Sequence, residues 1–263
     1  MDLGIKGRVA VVAAASKGLG LAIATELAKE GARVAICSRN REQIEVAAEQ
    51  IREATGAEVL ADVVDVRSEI QVKAFFARIC EQFGRVDICV TNSGGPPSKL
   101  FSETETEDWH AAIDLLLMST IFFAREALPR MKAQRWGRFV AITSYTVKQP
   151  VDGMLLSNSI RAGVTGLVRT LANEYAAYGI TANNVCPGYT ATDRIGELAR
   201  MVALRRGVSS EEVVADWQKQ IPAGRLGTPE EFAAVVTFLV SERAGYVNGT
   251  SISVDGGIVR SLI

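Results

Sequence analysis

Hydrophobic and polar positions along this chain switch repeatedly between two periods. Arg8–Ala14 is a continuous β-rich apolar run, the pattern of a strand covered on both faces. Leu19–Glu30 has the apolar spacing of an amphipathic helix, with Gly31 placed to end it. The alternation continues to the end of the chain. Strands are expected over Arg33–Cys37, Val59–Val64, Val86–Thr91, Arg138–Thr143, Ile180–Cys186 and Ser251–Val254. Helices are expected over Glu42–Ala54, Ile70–Phe83, Glu107–Ala133, Ser157–Tyr178 and Pro229–Ser241. Thr228-Pro229-Glu230-Glu231 is a strong helix start, with Thr as N-cap, Pro at the first position and Glu at the third, and Ser209-Ser210-Glu211-Glu212 offers a second capping box.

Strand–helix repetition of this kind requires a mainly parallel sheet with right-handed crossovers. The expected fold class is α/β: a doubly wound, Rossmann-type, seven-stranded sheet with helices on both faces, in a single domain over residues 1–263. Only the stretch at about 188–224 breaks the rhythm. It is too long for a simple connection and carries its own helices, so it is expected to be a lid-like insertion over a site.

Composition narrows the function classes. Of 263 residues, 48% are hydrophobic and 22% charged, enough apolar side chain for a large core. A net charge of -1 without a basic tract argues against nucleic acid or an anionic membrane as partner. No run approaches the ~18 apolar residues of a membrane span, and Met1 to Gly7 lacks a signal peptide's apolar core. Cys37, Cys80, Cys89 and Cys186 form no C-x-x-C pair, and three of them sit in strand-like runs, as expected of reduced thiols in a cytoplasmic protein. The single histidine, His110 beside Trp109, argues against a histidine-based metal site.

The turn after the first strand carries the candidate chemistry. Residues 13–20 read Ala-Ala-Ala-Ser-Lys-Gly-Leu-Gly, between a strand and a helix. Free N–H groups and the helix dipole favour a phosphate there, and Gly18 and Gly20 allow close backbone approach. Two cations then bear on which dinucleotide binds. Lys17 lies in the turn, and Arg39 follows the second strand, where an acid would bind the ribose hydroxyls of NAD. Cys37-Ser38-Arg39-Asn40 contains no acid, so a 2′-phosphate and hence NADP(H) is expected.

With these residues the chain resembles the short-chain dehydrogenase/reductase family, in particular the bacterial 3-oxoacyl-acyl-carrier-protein reductases, from about Leu3 to Val259. Residues 13–20 are similar to the family's T-G-x-x-x-G-x-G turn, with Ala13 and Ala14 in place of Thr and the first Gly. Asp65-Val66, Thr91-Asn92-Ser93-Gly94, Asn183 to Gly188, Thr192, Ile221 to Glu231 and Val254-Asp255-Gly256-Gly257 carry the rest of the likeness. The resemblance implies a cofactor held against Ala14, Ser16, Lys17, Gly18, Leu19, Gly20, Arg39, Asp65, Val66, Asn92, Gly94, Arg161, Pro187, Gly188, Thr190 and Thr192. It also implies a carbonyl or hydroxyl substrate, with an acyl thioester among the candidates, and a homotetramer packed through the helix Ser157–Tyr178, whose small stripe is Ser159, Gly163, Gly166 and Thr170.

The family's catalytic pattern is an asparagine, a serine and a Tyr-x-x-x-Lys pair. The tyrosine supplies a proton to the nascent alkoxide, and the lysine stabilises the phenolate. By the same resemblance the serine is Ser144, but Ser157 stands at the tyrosine position, Arg161 at the lysine and Leu116 at the asparagine. No other tyrosine restores the pair: Tyr145, Tyr175, Tyr178, Tyr189 and Tyr246 are followed four residues later by Gln149, Gly179, Ala182, Asp193 and Thr250. Three readings stay open. One is an NADP(H)-dependent oxidoreductase with a relocated acid, for which Tyr145 or Tyr189 is nearest in sequence. Another is an NADP(H)-binding protein with little turnover, a sensor or partner subunit. The third is a likeness to halohydrin dehalogenases, which pair Ser and Tyr with Arg but lack the phosphate turn kept here. On the lid, Arg194, Arg200, Arg205 and Arg206 offer a place for an anionic substrate such as an acyl carrier or a carboxylate, but the favoured expectation is a solvated helix face balanced by Glu197, Glu211 and Glu212.

Overall fold

The computed structural model describes residues 2–262, so Met1 of the N-terminal reading and the last residue, Ile263, lie outside it. Seven parallel strands form one sheet in the order β3-β2-β1-β4-β5-β6-β7. They are β1 Val9–Ala13, β2 Arg33–Ser38, β3 Val59–Val63, β4 Ile88–Thr91, β5 Gly137–Ile142, β6 Ile180–Pro187 and β7 Ser251–Val254. Helices cover both faces, as the strand–helix rhythm requires. The period of two sorts the β1 side chains cleanly. Val9, Val11 and Ala13 enter one core, with Phe75 and Phe76 of α3 (Glu69–Phe83), Phe123 of α5 (Ser119–Gln134) and Val164 of α6 (Leu155–Tyr175). Ala10 and Val12 enter the other, with Ile23 and Leu27 of α1 (Gly18–Lys29), Ile44 and Ile51 of α2 (Arg41–Thr55) and Phe232 and Val236 of α9 (Pro229–Leu239).

Two features depart from the sequence expectation. The long helix expected over Glu107–Ala133 is divided. Helix α4 (Thr106–Ala112) runs into a π-helical turn at Ile113–Met118 before α5 begins. The wide turn coincides with side-chain hydroxyls bonding back to the ladder, Ser119 Oγ to the Leu115 carbonyl at 2.6 Å and Thr120 Oγ1 to the Leu116 carbonyl at 2.8 Å. Nothing in the apolar run Leu115-Leu116-Leu117-Met118 signals it. The stretch expected as an insertion forms two helices, α7 (Asp193–Arg206) and α8 (Ser210–Gln220). They share a small core of Leu198, Ala199, Ala203, Val213 and Trp217. Both anticipated capping boxes form, at Ser209–Glu212 and Thr228–Glu231. His110 is exposed on α4.

The chain reverses its direction of winding between β1 and β4, which are neighbours in the sheet though not in sequence. That switch point opens a crevice at the carboxyl ends of the strands, where open α/β sheets hold ligands. The capping box at Thr228 fixes α9 against α1 beneath this crevice. Thr228 Oγ1 accepts from the Glu231 N–H at 3.2 Å, and Glu231 Oε2 accepts from the Thr228 N–H at 2.9 Å. Thr228→Ala is expected to lower unfolding free energy by about 1 kcal/mol, read by chemical denaturation, with no change in the sheet's far-ultraviolet dichroism.

Candidate active site

A cavity of ≈ 590 Å³ occupies the crevice. Its lining includes the last residues of β2, β5 and β6 and residues just past β1, β3 and β4: Ser38, Ile142, Pro187, Ala14, Val64 and Asn92. One end is built by the turn into α1. Lys17 is the N-cap of α1 in extended conformation, no side chain caps the helix, and its first turn contains no acid. The first-turn N–H groups are therefore left for an anion. Gly20 is required by space: a Cβ there would lie within contact-forbidding distance of the Ala14 carbonyl and 2.9 Å from Ala15 Cα. The residues present thus fit a dinucleotide's pyrophosphate. The substituted position Ala14 has φ +49, a left-handed conformation that favours glycine. Asn92 Nδ2 donates to the Ala14 carbonyl at 3.3 Å and ties this turn to the end of β4.

The two cations read from the sequence are placed differently. Arg39 is exposed on the cavity rim and forms no ion pair among the described residues. Lys17 lines the cavity, but its Nζ lies 3.1 Å from Asp193 Oδ2 at the start of α7. Both cations thus line the cavity, Lys17 within an exposed ion pair with Asp193 and Arg39 outside any ion pair among the described residues. Asp65 is gripped by Arg67 at 2.6 Å, and that hydrogen bond holds its carboxyl below the usual range.

The other end of the cavity holds Ser144, Ser157 and Arg161 together. Ser157 and Arg161 lie four residues apart on α6 and so share a face. Ser144 Oγ accepts from the Thr146 N–H at 3.2 Å, which leaves its own proton free to donate. Arg161 Nη1 donates to the Ile142 carbonyl at 2.9 Å, fixing the guanidinium at the end of β5. Desolvation, with the like charge of Arg194 second, pushes Arg161 down to about 10. It remains a cation at neutral pH. Ser16, Gly18, Leu19, Val66, Gly94, Gly188, Thr190 and Thr192 also line the cavity, while Gly20 sits behind it. Leu116 is buried away from the cavity in the π-helical turn, and Leu115 is the residue of that turn that faces it.

Tyr145 and Tyr189 both line this end, their ring centres 5.6 Å apart. Tyr189 in turn stacks on Trp217 of α8 at 4.6 Å. Burial pushes both phenols above their ordinary value, Tyr145 furthest. Neither has a cation among the causes of its shift. Such phenols hold their protons tightly and make poor acids.

Sequence reasoning missed how α7 closes the site. Arg194 was expected in solvent, but it lines the cavity and donates to the Pro96 carbonyl at 3.0 Å. Gly95 makes this possible, since a Cβ there would meet the Arg194 guanidinium at 2.9 Å. Arg205 donates to the Ser98 carbonyl at 2.8 Å. Arg206 is balanced by Asp216 rather than by the glutamates named from the sequence. The stiff turn Gly94-Gly95-Pro96-Pro97 after β4 and the arginines of α7, far apart in sequence, gave no local signal that they meet.

The chain is similar over nearly its whole length to known proteins. Residues 13–259 match a family model described as Enoyl-(Acyl carrier protein) reductase. The chain is 33% identical over 258 residues to a 3-oxoacyl-[acyl-carrier-protein] reductase of Aquifex aeolicus, covering 98% of this chain and 100% of that one. It is 34% identical over 252 residues to an acetoacetyl-CoA reductase of Cupriavidus necator, covering 95% and 98%. Among solved structures, L-sorbose reductase from Gluconobacter frateurii, complexed with NADPH and L-sorbose, superposes with a TM-score of 0.95 at 33% identity over 100% of both chains.

The strain at Ala14 can be tested directly. Ala14→Gly is expected to raise unfolding free energy by roughly 0.5–1 kcal/mol, because glycine takes a positive φ without the Cβ penalty. Urea denaturation of the two proteins measures it; an unchanged or lowered midpoint would show that the alanine is unstrained.

Proposed function

We propose that this chain, which belongs to the short-chain dehydrogenase/reductase family, is an NADP(H)-dependent oxidoreductase that interconverts a carbonyl and its alcohol without the family's tyrosine–lysine pair. The observation that carries the cofactor assignment is the uncapped, acid-free first turn of α1 beside an Arg39 that has no carboxylate partner. The pyrophosphate would lie against the N–H groups at Gly18, Leu19 and Gly20, and the 2′-phosphate against Arg39. Asp65 and Val66 would face the adenine, Asn92 and Gly94 the middle of the cofactor, and Pro187, Gly188, Thr190 and Thr192 its nicotinamide end. When bound, the cofactor supplies or accepts the hydride. NADPH complexes of relatives such as the L-sorbose reductase support the same choice.

This chain's own residues then position the substrate oxygen. Ser144 Oγ donates a hydrogen bond to it, Ser157 Oγ offers a second, and the Arg161 guanidinium stabilises negative charge developing there. None of the three is a ready proton source: serine is a far weaker acid than phenol, and Arg161 keeps its proton at neutral pH. The proton would come from water. Helices α7 and α8 act as a lid in this reading, with Tyr189 stacked between cavity and lid. The exposed small stripe Ser159, Gly163, Gly166 and Thr170 on α6 supports assembly into a homotetramer. Four unpaired thiols support a reducing, cytoplasmic setting. A second reading, a cofactor-binding protein with little turnover, is favoured by the raised Tyr145 and Tyr189, which leave no evident acid.

Two experiments follow. NADPH should bind about ten- to hundredfold more tightly than NADH, and Arg39→Ala should remove most of the difference, as expected for one charge-assisted phosphate contact. Fluorescence titration of both cofactors checks this, and equal affinities in the unaltered protein would refute the choice of NADP(H). The double change Ser157→Tyr with Arg161→Lys rebuilds the family pair at its correct helical spacing. It should raise diketone reduction by roughly one to three orders of magnitude, the range of a general acid. A thermal melt guards against overpacking. A drop in rate in a folded double variant would instead show that Tyr145, Tyr189 or another group already delivers the proton.

A further inference from the structure

The charges lining the cavity can be paired off. Lys17 is matched by Asp193 at 3.1 Å, Arg194 by Glu197 at 3.6 Å, and Asp65 by Arg67 at 2.6 Å. Two cations are left with no carboxylate within ion-pair distance among the described residues. Arg39, exposed on the rim, is one, and Arg161, part-buried at the inner end, is the other. The 2′-phosphate assigned above answers the first. The second is harder for the protein to carry, because a cation removed from water without an anion is costly. Its one hydrogen bond is to a neutral carbonyl, that of Ile142. The nearest charge named as acting on it is Arg194, which repels it.

We propose that the inner end of the cavity binds a carboxylate of the substrate on the Arg161 N–H groups that Ile142 leaves free, beside the reacting oxygen held by Ser144 and Ser157. On this assignment, which rests on the oxidoreductase reading, the substrate is an oxo acid or the matching hydroxy acid rather than a neutral ketone. The donor set suits it. Arg161 has one amino edge on Ile142 and leaves further N–H groups for a planar two-oxygen acceptor. Ser157 lies one helical turn before Arg161 and its hydroxyl carries no hydrogen bond among the described residues, while Ser144 has its proton free, so both can hold the reacting oxygen beside the carboxylate. Small side chains at positions 144 and 157 leave room in front of the guanidinium. Arg194 adds a second positive charge from α7, held in place through Pro96.

The test compares acetoacetate with pentane-2,4-dione, which has nearly the same shape and no charge. Both are titrated calorimetrically into the protein, with and without saturating NADP+, at constant ionic strength set by sodium chloride. Acetoacetate should bind about ten- to hundredfold more tightly, the worth of a charge-assisted contact. Arg161→Gln should bring the two within about twofold of each other, while Arg161→Lys retains part of the preference. Should Arg161→Gln fail to fold, Arg194→Gln is expected to weaken acetoacetate about three- to tenfold and leave the dione unchanged. Equal binding of the two compounds by the unaltered protein would overturn the proposal. So would a preference that survives Arg161→Gln, or chloride competing with acetoacetate as strongly as acetate does, which marks a site for any small anion. A failure here with NADPH still bound tightly removes the carboxylate alone, whereas loss of NADPH binding in the unaltered protein removes the oxidoreductase reading.

Discussion

The site depends on one electrostatic constraint: the helices that follow parallel strands begin at the sheet's carboxyl edge, and their first-turn N–H groups there must be answered by something. Helix α1 begins at that edge with no side-chain cap and no acid in its first turn. Its free N–H groups are a standing demand for an anion. The rest of the turn conforms to that demand. Gly20 is kept without a Cβ by the Ala14 carbonyl, and Ala14 itself accepts a left-handed φ of +49 to maintain the bend. Asn92 then locks the turn to β4 across the switch point.

At the opposite end the same edge carries a different arrangement. Arg161 is anchored on the β5 carbonyl of Ile142 and has hydroxyls rather than a phenol in front of it. The substitutions act together. A phenol without a nearby lysine would be a weak acid, and a lysine without a phenol would have nothing to polarise. On the proposed reading the site holds a fixed cation with two hydrogen-bond donors in place of a proton relay. Helix α7 completes the enclosure from above, its Arg194 and Arg205 holding the loop after β4 through the Pro96 and Ser98 carbonyls.

Most of the sheet was legible in the sequence because the central strands are buried on both faces and several helices carry explicit boundaries. Asn40 and Ser68 cap α2 and α3, Gly56 and Gly84 end them, and Thr228-Pro229 begins α9. The phosphate turn was legible for the same reason, since its chemistry is local in sequence. What escaped depends on contacts between distant segments. The π-helical turn at Ile113–Met118 has no breaker residue and is marked only by hydroxyls one turn later. The ion pair of Lys17 with Asp193 joins residues 176 positions apart and has no local signal. Arg194 looked like a solvated helix residue because nothing near it in sequence shows that Pro96 and the cavity lie within reach.

The central claim is that hydride chemistry has been kept at a site from which the titrating phenol–lysine relay is gone, and the pH dependence of carbonyl reduction tests it most directly. Tyr145 and Tyr189 are raised above their ordinary value, and so stay neutral as pH rises through the neutral range. Asp65 is lowered, and so stays ionised. Arg161 is lowered only to about 10, and so stays charged. With none of these groups changing charge, kcat/KM for reduction with NADPH should be level between about pH 6 and pH 9. A profile that falls through an apparent pKa of about 7 to 8 and becomes level in Tyr145→Phe or Tyr189→Phe would contradict the account, because it would place a working acid in the site after all.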